Sequence, residues 1–150
     1  MVRIEKVIEI EAPIEKVFAF WADPKKFEKL LPEGMEGKIE VTSEGPIGVG
    51  STYSFSGIVG GQKMETETEF VEWEENRRMV SRQIKGVYKR SESGSFFEAT
   101  DKGTKVTETV DYELLYSEPG KGLDDLKVRK DIEASFKAGL EKAKEILEKG

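Results

Sequence analysis

The sequence contains no cysteine and no histidine among its 150 residues. Without cysteine the protein can form no disulfide, no thiolate nucleophile and no cysteine-ligated metal site. Without histidine it lacks the side chain that most often serves as a general base or as a metal ligand. We therefore expect no metal ion and no other cofactor.

Long runs of one charge and long hydrophobic runs are also missing. The 30 acidic and 24 basic residues are mixed along the chain, and they leave a net charge of -6. This acidic balance argues against nucleic acid or an anionic membrane as the partner. No run approaches transmembrane length and no signal-peptide core opens the sequence, so the expected location is cytoplasmic. One asparagine and two glutamines beside abundant lysine and glutamate are typical of a thermophile.

A chain of this length is expected to form one domain spanning residues 1–150, with no internal repeat and no linker. We expect it to be a monomer or a weak homodimer.

The stretch Gly122–Lys149 predicts one long C-terminal helix. Apolar and small residues recur along it at helical spacing: Leu126, Val128, Ile132, Ser135, Phe136, Gly139, Leu140, Ala143 and Leu147. Because this stripe must be buried and most of the preceding chain has the pattern of strands, we expect a curved antiparallel sheet that grips the helix.

Seven strands are predicted before that helix from alternation of apolar and polar residues and from turn residues between them. They span Val2–Glu11, Lys38–Ser43, Ser51–Val59, Gln62–Trp73, Arg78–Lys85, Val87–Thr100 and Lys105–Tyr116. Gly60-Gly61 is typical of a hairpin turn. Two short helices follow the first strand, one from Ile14 to about Ala22 and one that begins at Pro24 after the N-cap residue Asp23.

This order of elements is that of the helix-grip fold, an α+β architecture. The chain resembles the polyketide cyclase/dehydrase-like branch of the START and Bet v 1-like (SRPBCC) superfamily. The segments that carry the resemblance are Ile10–Phe18, Trp21–Pro24, Gly45–Ser51, Asn76–Val80 and Gly103–Thr107. Members often carry a tryptophan where this chain has Leu31. The resemblance implies a deep, mostly apolar cavity between sheet and last helix, but not its occupant, because the superfamily includes lipid carriers, metabolite binders, cyclases and chaperone cofactors.

Glu108 is the one acidic residue that the pattern places in an apolar row. In Lys105–Leu114 it shares a face with Val106, Val110 and Tyr112. A carboxylate there must be paired, protonated or solvated. Glu108 is therefore a candidate ligand-orienting group, or an acid/base whose pKa is raised by burial. The alternative is that a bulge exposes it to water or that an internal arginine satisfies it.

Arg82 is the candidate partner of Glu108. If Val80 and Ile84 point inward, Arg82 does so too, and an Arg–Glu pair inside the cavity becomes possible. If Met79, Ser81 and Gln83 face inward instead, Arg82 is a solvated charge.

Further candidate ligand-binding residues come from the aromatic residues and the inner stripe of the long helix. Tyr53 and Tyr112 offer hydroxyl groups, and Gly139 leaves room for a ligand or packs tightly. The full candidate set is Tyr53, Phe55, Arg82, Phe97, Glu108, Tyr112, Phe136, Gly139 and Leu140.

Three functions remain open from the sequence. The first is binding of a hydrophobic or amphipathic small molecule of lipid, polyketide or isoprenoid type. The second is a cyclase or dehydratase that uses Glu108 as acid/base on a poly-keto substrate. The third is a protein-interaction module, which requires an exposed apolar patch and no enclosed cavity.

Overall fold

A computed structural model describes the backbone of residues 2–31, 36–59, 62–86, 88–114 and 122–149, and the side chains of these residues except 59, 62, 114 and 122–128. The helical elements are α1 (Ile14–Trp21), a 3-10 helix (Pro24–Leu30) and α2 (Gly122–Lys149). The strands are β1 (Val2–Ile10), β2 (Glu36–Val41), β3 (Thr52–Val59), β4 (Gln62–Glu74), β5 (Arg78–Lys85), β6 (Tyr88–Ala99) and β7 (Thr104–Leu114).

The seven strands form one antiparallel sheet in the order β1-β7-β6-β5-β4-β3-β2. Strands β1 and β2 form opposite edges of the sheet, and the two short helices connect them. Strand β1 therefore pairs with β7 rather than with β2. Helix α2 contacts β1 and the 3-10 helix, so it closes the concave face together with α1. The predicted α+β helix-grip fold is confirmed.

The core lies between the concave face and the helices. Phe18 of α1 makes edge-to-face contacts with Trp73 and Phe97, whose ring centroids lie 5.5 and 5.2 Å from its own. Phe70 and Trp73 would point to opposite faces of a regular strand, but a bulge between Phe70 and Glu72 turns both toward the core.

Local sequence explains the start of the 3-10 helix and the β4–β5 turn. The Asp23 side chain accepts a hydrogen bond from the backbone N–H of Lys25 at 3.0 Å, and Pro24 occupies the first helical position. Asn76 adopts a left-handed φ of 60° in the turn, a conformation that asparagine tolerates well.

Most predicted boundaries agree with the structure to within two residues, and those of Arg78–Lys85 and Gly122–Lys149 agree fully. The predicted turn at Gly60-Gly61, the predicted first residue of the sixth strand (Val87) and the predicted last residues of the seventh strand (115–116) lie outside the described residues. Within the described ranges, no helix is both long enough and apolar enough to cross a membrane.

Of the two orientations left open for Arg82, the structure has the outward one, so Arg82 as a cavity residue is wrong. Met79 and Ser81 face the interior of the sheet, whereas Arg82 is exposed on the outer face between Glu69 and Glu92 of the neighbouring strands. Val80 lies on this outer face and is nevertheless buried. Its partner on β6 is Gly94, and the Phe96 ring packs over that glycine. A buried valine therefore does not mark the inner face of β5.

Candidate functional site

Glu108 lies on the concave face of β7, beneath the two short helices and α2. Its strand neighbours Val106 and Val110 are buried on the same face, as the alternation predicted. Across the sheet its register partner on β6 is Ser95. The Glu108 side chain is half-buried, and its carboxyl group forms part of the wall of two cavities.

Two neutral donors bind one oxygen of this carboxyl group. Trp21 donates its indole Nε1–H to Glu108 Oε1 at 2.6 Å, and the Ser95 hydroxyl donates to the same oxygen at 2.6 Å. Among the described residues, none donates a hydrogen bond to Oε2. One oxygen is therefore fixed by the protein, and the other remains an acceptor.

The pKa of Glu108 is raised to about 7. Burial raises it because the charged form loses hydration, and the hydrogen bonds from Ser95 and Trp21 lower it only in part. The two donors stabilise the carboxylate without supplying a positive charge. Near neutral pH the group can therefore both take up and release a proton.

The first cavity, which we call the helix cavity, lies between the 3-10 helix, α2 and Glu108. Its volume is about 220 Å3. Apart from Glu108 and a serine hydroxyl its walls are apolar or aromatic, formed by Trp21, Phe27, Leu30, Leu31, Ser135, Phe136, Gly139 and Leu140. A cavity of about 150 Å3 is enough to hold benzene, so this one has room for a compact ring-containing molecule.

The second cavity, the sheet cavity, lies on the other side of Glu108 against the strands. It has a volume of about 170 Å3 and shares Phe27, Glu108 and Phe136 with the helix cavity. Its remaining walls combine apolar side chains with hydroxyl groups: Tyr53, Phe70, Met79, Ser81, Ser93 and Ser95. Glu108 therefore stands where an apolar compartment meets a partly polar one.

A third cavity, the hydroxyl cavity, continues along the sheet. It has a volume of about 120 Å3 and shares Tyr53, Ser81 and Ser93 with the sheet cavity. Each described residue in its wall carries a hydroxyl or amide group: Tyr53, Thr66, Thr68, Ser81, Gln83, Tyr88, Ser91 and Ser93. Burial raises the pKa of Tyr53, and the nearby Ser81 and Thr68 hydroxyls lower it in part.

Lys6 is the basic residue placed nearest Glu108 by strand register. The two residues are paired across the β1–β7 ladder, so their side chains leave the same face of the sheet. The Lys6 side chain is half-buried, yet it forms no ion pair with Glu108 and does not contribute to the shift in the Glu108 pKa. Glu108 therefore has no cationic partner among the described residues.

Several predicted site residues surround the same space. Tyr53, Glu108, Phe136, Gly139 and Leu140 all line the helix or sheet cavity. At Gly139 an added Cβ would lie 3.7 Å from the Leu30 carbonyl oxygen, an ordinary contact distance. Gly139 thus leaves room at the cavity rather than allowing an unusually close approach.

Four other predicted residues lie elsewhere. Phe97 is a core residue packed against Phe18 and Trp21, and Tyr112 is 1% exposed in a second cluster with Ile4 and Val110. Phe55 lines a separate depression with Glu65 and Lys85. Arg82 is exposed on the outer face, so the proposed Arg–Glu pair does not form.

Sequence reasoning missed the two residues that bind Glu108. Trp21 is separated from it by 87 positions, and Ser95 by 13. The serines at 91, 93 and 95 alternate along β6, a period-2 signal for one polar strand face. The alternation alone does not say whether these serines face the interior. Their inward orientation follows only from the pairing of Ser95 with Glu108 on β7.

The fold and the cavities define the class: an α+β helix-grip protein with space beneath its C-terminal helix. The sequence matches the family described as "Polyketide cyclase / dehydrase and lipid transport" over residues 1–148, and the chain belongs to that family. No curated protein matches the chain.

Solved structures share the architecture. The protein TTHA0849 from Thermus thermophilus is 26% identical, with a TM-score of 0.76 over 96% of this chain and 94% of that one. A START superfamily protein from Mycobacterium smegmatis is 14% identical, with a TM-score of 0.76 over 98% and 97% of the two chains. The di-domain ARO/CYC StfQ from the steffimycin biosynthetic pathway is 13% identical, with a TM-score of 0.80 over 99% of this chain and 51% of StfQ. At their low identities the latter two show a common fold alone.

Proposed function

We propose that the protein binds a compact hydrophobic or amphipathic molecule in the helix cavity, with the polar group of the ligand at Glu108. The observation that carries this proposal is an interior carboxyl group with one unengaged oxygen at the wall of an apolar space. A ligand would gain apolar burial from Phe27, Leu30 and Leu140 and a hydrogen bond at Oε2. The family description, which includes lipid transport, agrees with such a role.

The size of the helix cavity favours ligands with one or two rings or a short chain. A volume of about 220 Å3 lies below the usual range of about 300–1,000 Å3 for drug-sized ligands. The adjoining sheet cavity, at about 170 Å3, extends the space past Glu108.

A thermal-shift titration with 4-phenylbutan-1-ol tests the proposal. This probe joins one ring to a hydroxyl through a short chain, and a ligand that binds only the folded state raises the unfolding temperature as its concentration rises. We expect a saturable rise in the wild-type protein. Gly139→Leu should remove the rise because its side chain fills the helix cavity, whereas Gly139→Ala should retain it. No rise in the wild type, or an equal rise in Gly139→Leu, would reject the proposal.

Catalysis is a second candidate, favoured by the pKa of about 7 at Glu108 and by its unengaged oxygen. In this alternative Glu108 transfers a proton during enolisation of a keto substrate, while the apolar walls hold the substrate in place. Glu108→Gln would then abolish turnover of a poly-keto substrate while retaining its binding. Unchanged turnover in that variant would exclude this mechanism.

A further inference from the structure

We propose that the site selects its ligand by charge and hydrogen-bonding type. It takes an apolar molecule whose polar group is a neutral or cationic hydrogen-bond donor, such as an alcohol, a phenol or an amine, and it rejects the corresponding carboxylate. This inference rests on the proposed function of the helix cavity and adds the chemical class of ligand.

The hydrogen bonds that Glu108 already accepts determine which group a ligand must present to Oε2. Oε1 already accepts from Trp21 and Ser95, so the protein supplies donors to one oxygen only. At Oε2 the ionised carboxyl group offers lone pairs, which a ligand O–H or N–H can use. A ligand carboxylate offers lone pairs in return and therefore cannot form this hydrogen bond.

The charges around the site disfavour an anion as well. No described residue in the wall of the helix, sheet or hydroxyl cavity is a lysine or an arginine. A buried carboxylate beside Glu108 would therefore meet a like charge without a counter-ion. A ligand ammonium would instead supply the counter-ion that Glu108 lacks.

One lysine on each of the three helices makes a contact away from Glu108. On α2, Lys142 donates to the Leu31 carbonyl oxygen at 2.8 Å. On the 3-10 helix, the Lys26 ammonium lies 5.4 Å from the centre of the Phe20 ring. On α1, Lys16 donates to the Leu147 carbonyl oxygen at 2.9 Å. Lys6 of β1 shares the face of Glu108 without pairing with it, and Tyr53 is the other titratable group of the sheet cavity.

The hydroxyl cavity extends the same selectivity along the sheet. Its described wall consists of uncharged side chains that both donate and accept hydrogen bonds, among them Thr66, Gln83 and Ser91. A second polar group on a longer ligand would meet these neutral dipoles. The interior therefore suits an amphipathic molecule that carries hydroxyl or carbonyl groups and no anion.

Calorimetric titrations with three compounds of one skeleton test this inference: 4-phenylbutan-1-ol, 4-phenylbutylamine and 4-phenylbutyrate. At about pH 8, where Glu108 is mostly ionised, we expect the alcohol and the amine to bind. The carboxylate should bind at least about ten-fold more weakly, because like charges brought together in an interface cost several kcal/mol. At about pH 6 the difference between carboxylate and alcohol should shrink, since Glu108 is then mostly neutral.

Two variants distinguish whether Glu108 or Lys6 determines the order of the three affinities. Glu108→Gln should weaken the amine and bring the carboxylate to within a few-fold of the alcohol, because the glutamine amide is uncharged and donates. Lys6→Met is the matched control, since it removes the nearest basic side chain by register. We expect it to leave the order of the three affinities unchanged.

The outcomes are distinct. If the carboxylate binds as tightly as the alcohol at about pH 8, charge selection by Glu108 is overturned. The same holds if the carboxylate binds tightly to the wild type and loses affinity in Lys6→Met. In both cases the proposed binding function survives. If none of the three compounds binds, the proposed function and this inference both fail.

Discussion

At the scale of single residues, the central feature is a half-buried carboxyl group that has no counter-ion among the described residues. Two neutral donors, Trp21 and Ser95, offset part of its desolvation. A structural carboxylate is ordinarily paired or solvated. An uncompensated one beside an apolar cavity is a frequent mark of a functional site.

The position of Glu108 predicts how stability depends on pH. Its pKa is about 7 in the folded state and near 4.5 when unfolded, so the folded state binds the proton more tightly between these values. Stability should therefore fall as pH rises from about 4.5 to about 7 and then level off. In Glu108→Gln this loss is absent. We expect its unfolding free energy, relative to wild type, to rise by about 2 to 3 kcal/mol between about pH 4 and pH 8 in denaturant titrations.

The matched control for that series is Glu98→Gln, an exposed position on β6. Its difference from wild type should stay within about 0.5 kcal/mol across the same pH range, as surface substitutions usually do. A pH-independent difference for Glu108→Gln would contradict an ionisable interior carboxyl group with a raised pKa.

The Ser95 hydrogen bond should be visible in the titration of Glu108. Because this bond favours the carboxylate, Ser95→Ala should raise the pKa of Glu108 further above about 7. Ser93→Ala is the control, since Ser93 lines the sheet cavity from the same face of β6. The carboxyl carbon shift of Glu108, followed by NMR against pH, measures both. Equal midpoints in the two variants would show that Ser95 does not stabilise the charge.

Sequence reasoning at this scale succeeded for Glu108 because strand alternation alone decided which face it occupies. It did not decide the orientation of Arg82, because β5 buries Val80 on the outer face, where Val80 pairs with Gly94 on the neighbouring strand. The role of Trp21 also depended on a distant pairing, across 87 positions. Contacts of this kind follow from tertiary packing and leave no local periodic signal.

At the scale of elements, the two short helices and α2 enclose the space that the sheet leaves open. Leu30 and Leu31 at the end of the 3-10 helix line the helix cavity, and Lys142 of α2 donates to the Leu31 carbonyl oxygen at 2.8 Å. Where the resemblance led us to expect a tryptophan, Leu31 leaves a less bulky wall. The cavity is thus formed where the end of the 3-10 helix faces the middle of α2 and of β7.

Gly139 tests whether α2 has spare room at the cavity. An added Cβ would make only ordinary contacts with Leu30 at 3.7 and 3.8 Å. Gly139→Ala should therefore stabilise the protein by about 0.5 to 1 kcal/mol through its higher helix propensity. Denaturant unfolding measures this gain.

The contrasting variant is Gly37→Ala on β2, where the added Cβ would overlap the Phe55 ring. We expect this change to destabilise the protein by about 1 to 3 kcal/mol, the usual cost of overpacking. A loss of similar size in Gly139→Ala would indicate tight packing of α2 and contradict the open space at this glycine.

At the scale of the whole molecule, the fold could be predicted because the order of elements and their periodicity agree. One strand, two short helices, six strands and a long helix leave few alternatives for burying the stripe of α2. The interior could not be predicted in the same way. Whether Ser81, Ser93 and Ser95 face a cavity or solvent depends on the curvature of the sheet and on side chains from five strands and three helices.

The family and the fold place the protein among helix-grip proteins, and the fold alone does not decide function. Here the interior consists of an apolar compartment, one carboxyl group and a row of hydroxyl groups. These three environments, side by side, fit a compact ligand with an apolar body and a hydrogen-bond donor.

The most direct measurement uses Trp21, which both lines the helix cavity and donates to Glu108. The chain has two tryptophans, so Trp73→Phe leaves Trp21 as the sole indole emitter. Titration of this variant with 4-phenylbutan-1-ol should change the Trp21 emission in a saturable manner, with the same dissociation constant that calorimetry gives. Binding heat without any change in Trp21 emission would place the ligand elsewhere, and it would contradict a binding site at Glu108.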